Sequence, residues 1–204
     1  MKLFDSSSSP FVRKVNVVIH ALGLHDRIER LGQRAHPVDR DQNLVRHNPL
    51  GQVPTLLLDD GTVLSDSRVI CEYLDRLAGG AIFPSDGPAR WKALTWQSHA
   101  DGLLDAAIAL RYEGHTRPAA LRWDGWQEAQ WAKIEAVLAA MDAGAPSFGM
   151  RLDIGGVSCA CALGYLDFRF GERPWREQWP AAERWYTTMA MHPSFLATQP
   201  RPRT

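Results

Sequence analysis

Apolar residues near the start of the chain recur with two different periods. Residues 2–5, with Leu3 and Phe4 inside, form a run of strand length. Phe11, Val12, Val15, Val18, Ile19 and Leu22 then recur three and four residues apart, so they share one helical face. Between the two runs stands Ser6-Ser7-Ser8-Ser9-Pro10. Ser9 is a favoured N-cap and Pro10 is pre-organised for the first helical position. Gly23 is a natural stop. The pattern predicts strand, serine-rich turn, helix. It sets a hydroxyl where free backbone N–H groups and the positive end of the helix dipole converge, a suitable place to hold an anion. Such caps also open many helices that do no chemistry, so the turn alone gives Ser9 no function.

The pattern then becomes more broken. Residues 27–31 read as a second strand, and residues 35–47 as a polar stretch with a short helix lying loosely on the surface. Asn48-Pro49-Leu50-Gly51 is a turn cluster. Residues 53–58 form a buried strand, Asp59-Asp60-Gly61-Thr62 a hairpin turn, and Val63-Leu64 the returning strand. Asp66-Ser67 caps a helix whose apolar face is Val69, Ile70, Tyr73, Leu74 and Leu77, ended by Gly79-Gly80. A mixed sheet with helices on its faces accounts for this order. Residues 80–88, rich in Pro and Gly, are the expected linker between a first domain at 1–79 and a second at 89–204. The second is helical throughout. Trp131, Ile134, Leu138 and Met141 mark one amphipathic face, residues 157–170 are rich in Ala, Gly and Cys, and residues 181–191 form a last short helix. The predicted architecture is α/β followed by an all-α bundle.

Composition narrows the function. The chain has 204 residues, 45% hydrophobic and 23% charged, with a formal net charge of zero. Balanced charge argues against nucleic acid as the main partner, because phosphate binding draws on a basic excess. No apolar run approaches the ~20 residues of a membrane span, and the first residues lack a signal-peptide core. The expected protein is therefore cytoplasmic, with no membrane partner. Three cysteines, Cys71, Cys159 and Cys161, suit a reducing compartment. Cys159 and Cys161 have no companions at metal spacing and read as core residues, so no metal is expected.

Three segments resemble the cytosolic glutathione transferases. Ser9-Pro10-Phe11-Val12-Arg13 resembles their serine-type active-site turn, in the Ser-Pro-Phe form of tau/omega-like members. Asn48-Pro49-Leu50-Gly51-Gln52-Val53-Pro54-Thr55-Leu56 is similar to the family's Asn-Pro-x-x-Lys-Val-Pro-x-Leu segment. Leu64-Ser65-Asp66-Ser67-Arg68-Val69-Ile70-Cys71-Glu72-Tyr73-Leu74 is similar to its Glu/Asp-Ser-x-x-Ile-x-x-Tyr-Leu segment. Three such matches in order carry more than any one alone. The resemblance implies an N-terminal thioredoxin-like domain, a C-terminal helical bundle and a homodimer. It also implies a detoxifying transferase that uses glutathione as co-substrate, with no cofactor. There are two departures. Gln52 stands where the family often has Lys, so a charged contact to the glycyl carboxylate is missing. Gly156-Val157-Ser158-Cys159 is the nearest match to a Ser/Thr-x-x-Asp helix cap and lacks its pattern, so that cap is expected to be absent, at about 1 kcal/mol.

The resemblance also implies roles. Asp66 and Ser67 receive the γ-glutamyl end of glutathione. Val53, before a cis Pro54, pairs with the cysteinyl backbone, and Gln52 is near the glycyl end. Ser9 donates its hydroxyl to sulfur, with Ser8 as the alternative donor, and Arg13 helps if it turns inward. The thiolate then attacks a small electrophile. Phe11, His99, Leu103 and Arg111 are pocket candidates by position only, and packing or surface roles fit each of them as well. A non-catalytic glutathione-binding module of the same fold is the competing reading. Thiol–disulfide exchange is disfavoured, because Ser9 stands where that chemistry needs Cys.

Overall fold

The structure is a computed structural model that describes residues 1–33 and 35–201, with Pro146 described by its backbone only. The chain divides into two compact units, Met1–Gly87 with Pro193–Thr204, and Pro88–His192.

The first unit is built on a four-stranded sheet of order β2-β1-β3-β4. The strands are β1 (Lys2–Asp5), β2 (Glu29–Gly32), β3 (Thr55–Leu57) and β4 (Val63–Leu64). β1 runs parallel to β2 and antiparallel to β3, with Leu3 opposite Leu56 and Phe4 opposite Thr55. The parallel pair needs a crossover, which α1 (Pro10–Ala21) supplies. Leu3 and Leu56 of the strands are wholly buried, and so are Val15, Val18 and Ile19 of α1, as the helical period required. Phe4, Val12, Leu44 and Val53 form a further buried cluster, with Leu31 and Leu57 against it. That cluster joins the first strand, the first helix and the loop before β3. It also holds α2 (Gln42–His47), whose one buried residue is Leu44. Burying one leucine is worth about 1.5–3 kcal/mol, enough to seat a helix of six residues.

Several boundaries differ from the sequence expectation. Residues His25–Arg27 form a 3-10 turn, so β2 starts at Glu29 rather than 27. β3 starts at Thr55 rather than 53, because Pro54 has no N–H for the ladder. The helix α3 (Ser67–Leu77) buries Ile70 and Leu74 as expected, together with Ser67, Cys71 and Asp75. Val69 and Leu77, expected on its apolar face, are 48% and 38% exposed. The buried stripe runs through 67, 70, 71 and 74, and small or polar residues at its edges hid it from a hydrophobic count. The final helix, α9 (Pro193–Leu196), packs on α1 and buries Phe195, although the sequence placed this end with the helical domain.

Asp75 fixes the stretch that follows α3. It is 1% exposed, and its carboxylate accepts the N–H groups of Ala81 (2.7 Å), Ile82 (2.7 Å) and Phe83 (3.0 Å). Residues 81–83, expected in a linker, are thus tied to the sheet unit.

The second unit contains only helices among its described residues: α4 (Gly87–His115), α5 (Asp124–Gly144), α6 (Ile154–Arg169), α7 (Trp175–Gln178) and α8 (Pro180–Ala190). On α5 the expected face is buried at Ile134, Leu138 and Met141. Every residue of α6 from Ile154 to Leu166 is buried. Its small residues permit close approach: a Cβ at Gly155 would lie 2.9 Å from the Ala93 carbonyl oxygen of α4. The cap expected to be missing is present. Asp153 Oδ1 accepts the Gly156 N–H at 2.8 Å, from three residues ahead of Gly156-Val157-Ser158-Cys159. α8 has no cap of its own; Asp142, at the end of α5, accepts the N–H groups of Ala181 (2.7 Å) and Ala182 (3.0 Å). The three cysteines are buried and outside any disulfide, and burial pushes the Cys159 thiol far up.

Candidate active site

The sheet register gathers three segments at one end. β1 runs into the serine turn. β3 is antiparallel to it and begins just after Val53-Pro54, with Thr55 opposite Phe4. β4 is antiparallel to β3 and runs out into Ser65-Asp66. The serine turn, the Val53-Pro54 loop and the start of α3 therefore share an edge. Two helices, α1 and α3, open there, so two sets of free N–H groups and two positive dipole ends meet at the same place.

Ser9 is the N-cap of α1 as predicted, with φ −84° and ψ 124°. Its N–H donates to the Ser6 carbonyl at 3.1 Å and tightens the turn. Its Oγ accepts the Val12 N–H at 3.3 Å. The oxygen faces the helix while the hydroxyl proton remains for an outside acceptor. Ser8 Oγ instead lies 3.4 Å from Ser6 Oγ. Arg13 does not turn towards the Ser9 hydroxyl; its guanidinium lies over the Phe195 ring, 5.7 Å from the centroid.

The second segment is braced from within. Asn48 and Thr55 are buried, and Asn48 Nδ2 donates to Thr55 Oγ1 at 2.9 Å. Both donate to the Gln52 carbonyl, Asn48 at 3.1 Å and Thr55 at 2.8 Å. Gly51 takes φ +61°, where its Cβ-free backbone packs against Val45 and Arg40. The Val53–Pro54 peptide is cis, as is Ser65–Asp66. Val53 and Pro54 are buried, while the Gln52 side chain is exposed. The Val53 backbone lies just beyond the last ladder pair.

In the third segment, Asp66 alone is the cap. Its Oδ1 accepts the Arg68 N–H at 2.8 Å and its Oδ2 lies 3.5 Å from Arg68 Nε. Ser67, expected to share the cap, is the first helical residue and is 2% exposed. Its hydroxyl makes no hydrogen bond among the described residues.

The pocket candidates separate. Phe11 is half-buried in the first unit, with Lys14 Nζ 5.6 Å from its ring centroid. The other three lie on α4. His99 is exposed and meets Trp96 edge-on at 5.5 Å, Arg111 is half-buried, and Leu103 is wholly buried, which makes it a packing residue. Residues that sequence reasoning passed over are Asn48 and Thr55, which hold the loop, and Asp75. Asn48 and Thr55 lay inside a quoted motif, but nothing in the sequence told that their side chains pair.

Among the described residues no group of three or more His, Cys, Asp or Glu side chains could hold a metal. No helix is long and apolar enough to cross a membrane.

A sheet unit of this topology, its three loops converging on two helix starts, followed by an all-α unit, defines a class. The chain belongs to the glutathione transferase family. Residues 8–77 match the family's N-terminal domain and residues 124–188 its C-terminal domain. A glutathione transferase family member from Pseudomonas fluorescens, solved with bound glutathione, is 42% identical. The match covers 98% of this chain and 99% of that one, with a TM-score of 0.96. A glutathione S-transferase from Methylobacillus flagellatus, also with glutathione bound, is 34% identical over 98% and 99% of the two chains, with a TM-score of 0.88. The uncharacterized GST-like protein YibF of Escherichia coli is 29% identical over 98% of each chain.

Proposed function

We propose that the protein is a serine-type glutathione transferase, tau/omega-like in its Ser-Pro-Phe turn. In this reading it conjugates glutathione to small electrophiles. The observation that carries the reading is the Ser9 hydroxyl at the N-terminus of α1, at the sheet edge it shares with the Val53-Pro54 loop and the start of α3.

Each segment takes one piece of the tripeptide. The γ-glutamyl carboxylate sits at the start of α3, where free N–H groups and the unengaged Ser67 hydroxyl await an acceptor. The outer side of Asp66 meets the ammonium. The Val53 backbone pairs with the cysteinyl residue, and Gln52 reaches the glycyl end as a neutral donor. Sulfur then lies at Ser9. A free thiol titrates near ~8.5, so little is thiolate at neutral pH. The Ser9 proton donates to sulfur while its oxygen accepts from Val12, and each bond polarises the other. Lowering the thiol pKa by two units takes about 2.7 kcal/mol, within reach of one charge-assisted hydrogen bond plus the helix dipole. The thiolate attacks the electrophilic carbon, the leaving group departs with the bonding pair, and Ser9 is never acylated. Phe11, His99 and Arg111 remain candidates for the electrophile side. A homodimer, a cytoplasmic setting and a role in detoxification belong to the same reading.

The competing reading is a glutathione-binding module without turnover. The uncharged Gln52 favours it, because it leaves the glycyl carboxylate without a cation there. Retention on glutathione-agarose followed by a chromogenic conjugation assay on the eluate separates the two. Retention with turnover supports the transferase; retention without turnover supports the module.

A further inference from the structure

A cavity of about 350 Å³ opens within the first unit, between the serine turn, α1, β2 and residues 197–201. Its lining includes Ser6 and Ser7 of the serine turn but not Ser9, Val53, Asp66 or Ser67. Arg13, Asn16 and His20 line it from further along that helix, three and four residues apart on one face. Arg30 and Arg201 line it from β2 and the C-terminal segment, and Asp5 is its one carboxylate among the described residues.

The charges do not balance. Three guanidiniums face one carboxylate. Arg30 is engaged: its Nη1 donates to Asp5 Oδ2 at 3.2 Å and also to Asn16 Oδ1. Arg13 is not. It is 7% exposed, its Nε is buried without a hydrogen-bond partner, and its guanidinium lies over the Phe195 ring. A guanidinium carries five N–H donors, and burying it without an acceptor is costly. Arg201 donates its backbone N–H to the Ser7 carbonyl at 3.4 Å, which sets its side chain at the same rim. His20 is held below its ordinary pKa by partial burial and then by Arg30 and His25, so it brings no further fixed charge.

We propose that this cavity binds a small phosphoryl dianion, with Arg13 as the inner ligand and Arg201 as the outer one. A guanidinium fork matches two phosphate oxygens at once, and Arg13 has its whole fork to give. The Ser6 hydroxyl lines the same cavity and supplies a neutral donor for a remaining oxygen, whereas the Thr198 hydroxyl already donates to the Ser194 carbonyl at 2.7 Å. Two uncompensated positive charges match a dianion better than a single carboxylate.

The test is isothermal titration of the full chain with inorganic phosphate and with glycerol 3-phosphate. Ionic strength is held constant with potassium chloride, and chloride alone is the control. Saturable phosphate binding is expected. Arg13→Met keeps the packed stem and removes the fork; Arg201→Ala alters an exposed residue. Each should weaken binding by about 10-fold or more, the loss of a charge-assisted hydrogen bond. Tighter binding of the ester supports a phosphorylated metabolite as the occupant, and equal binding supports the phosphoryl group alone. Binding no stronger than chloride overturns the proposal. So does binding that neither variant weakens, or that glutathione displaces competitively.

Discussion

Asp75→Ala should be the most destabilising single change in the first unit outside its apolar core. The wild-type carboxylate receives three N–H groups, two of them on one oxygen. Ala81 is exposed, so its N–H finds water when the carboxylate is gone. Ile82 and Phe83 are 4% and 7% exposed, and their N–H groups do not. A buried N–H that loses its acceptor costs about 1–3 kcal/mol, so two give about 2–6 kcal/mol. Asp75→Asn separates charge from shape. With its amide oxygen in the place of Oδ1 it keeps Ala81 and Ile82 but turns an NH₂ towards the Phe83 N–H. It should therefore cost about 1–3 kcal/mol. Urea unfolding read by far-UV circular dichroism, extrapolated linearly to water, measures both. Tryptophan fluorescence is the internal control, because all eight tryptophans lie in Pro88–His192 and report the other unit. A loss below about 1 kcal/mol for Asp75→Ala would show that the three bonds do not hold the segment. Equal losses for Ala and Asn would show that the oxygens do not divide the work as described.

Three further outcomes follow from the site and its supports. Ser67→Ala should weaken glutathione binding, with little change in melting temperature because Asp66 is the cap; calorimetric titration and a thermal melt decide, and the reverse result would leave Ser67 a purely structural residue. Asp153→Ala should destabilise the helical unit by about 1 kcal/mol, up to about 2, read by tryptophan fluorescence in urea. Gln52→Lys should tighten glutathione binding by about 3- to 10-fold at low salt, less at high salt, since it adds a screened charge opposite a carboxylate; an unchanged affinity would place the glycyl end elsewhere.

How much was legible depended on whether a signal was local. The α1 start was readable in full, because cap, proline and apolar period all lie within a few residues of one another. The hairpin at Asp60-Gly61 was readable for the same reason: Asp60 Oδ1 accepts the Thr62 N–H at 2.8 Å, and Gly61 takes φ +87°. Where partners are distant in sequence, the reading failed. Asp142 caps a helix that begins 38 residues later, and Arg13 meets Phe195, far along the chain. The α3 face was misplaced because burial there includes Ser67 and Asp75, which no hydrophobic pattern selects. The α6 cap was missed by position, since Asp153 and Gly156 are a capping pair whose spacing suits many loops. For the candidate site, the motifs picked out three segments, and the strand register supplied their convergence at one edge. The electrophile side had no motif, and Leu103 shows how weak position alone is as a guide.

The central claim is that the Ser9 hydroxyl, acting on sulfur, sets the glutathione thiolate fraction. The direct measurement is the pH–rate profile of wild type, Ser9→Ala and Ser8→Ala with one electrophile, alongside glutathione affinity. Loss of one charge-assisted bond of ~1.5–3 kcal/mol should raise the bound thiol pKa by roughly one to two units. Below the wild-type pKa the reactive fraction, and with it the rate, should then fall about ten- to a hundredfold. Above both pKa values the two profiles should converge. Below the wild-type pKa affinity should hold, because the two ends of the tripeptide carry it, and above that pKa it should fall with the lost thiolate contact; Ser8→Ala should follow wild type, since its hydroxyl faces Ser6. A Ser9→Ala profile that does not move contradicts the account, and a shift in Ser8→Ala alone would transfer the role to the neighbouring serine.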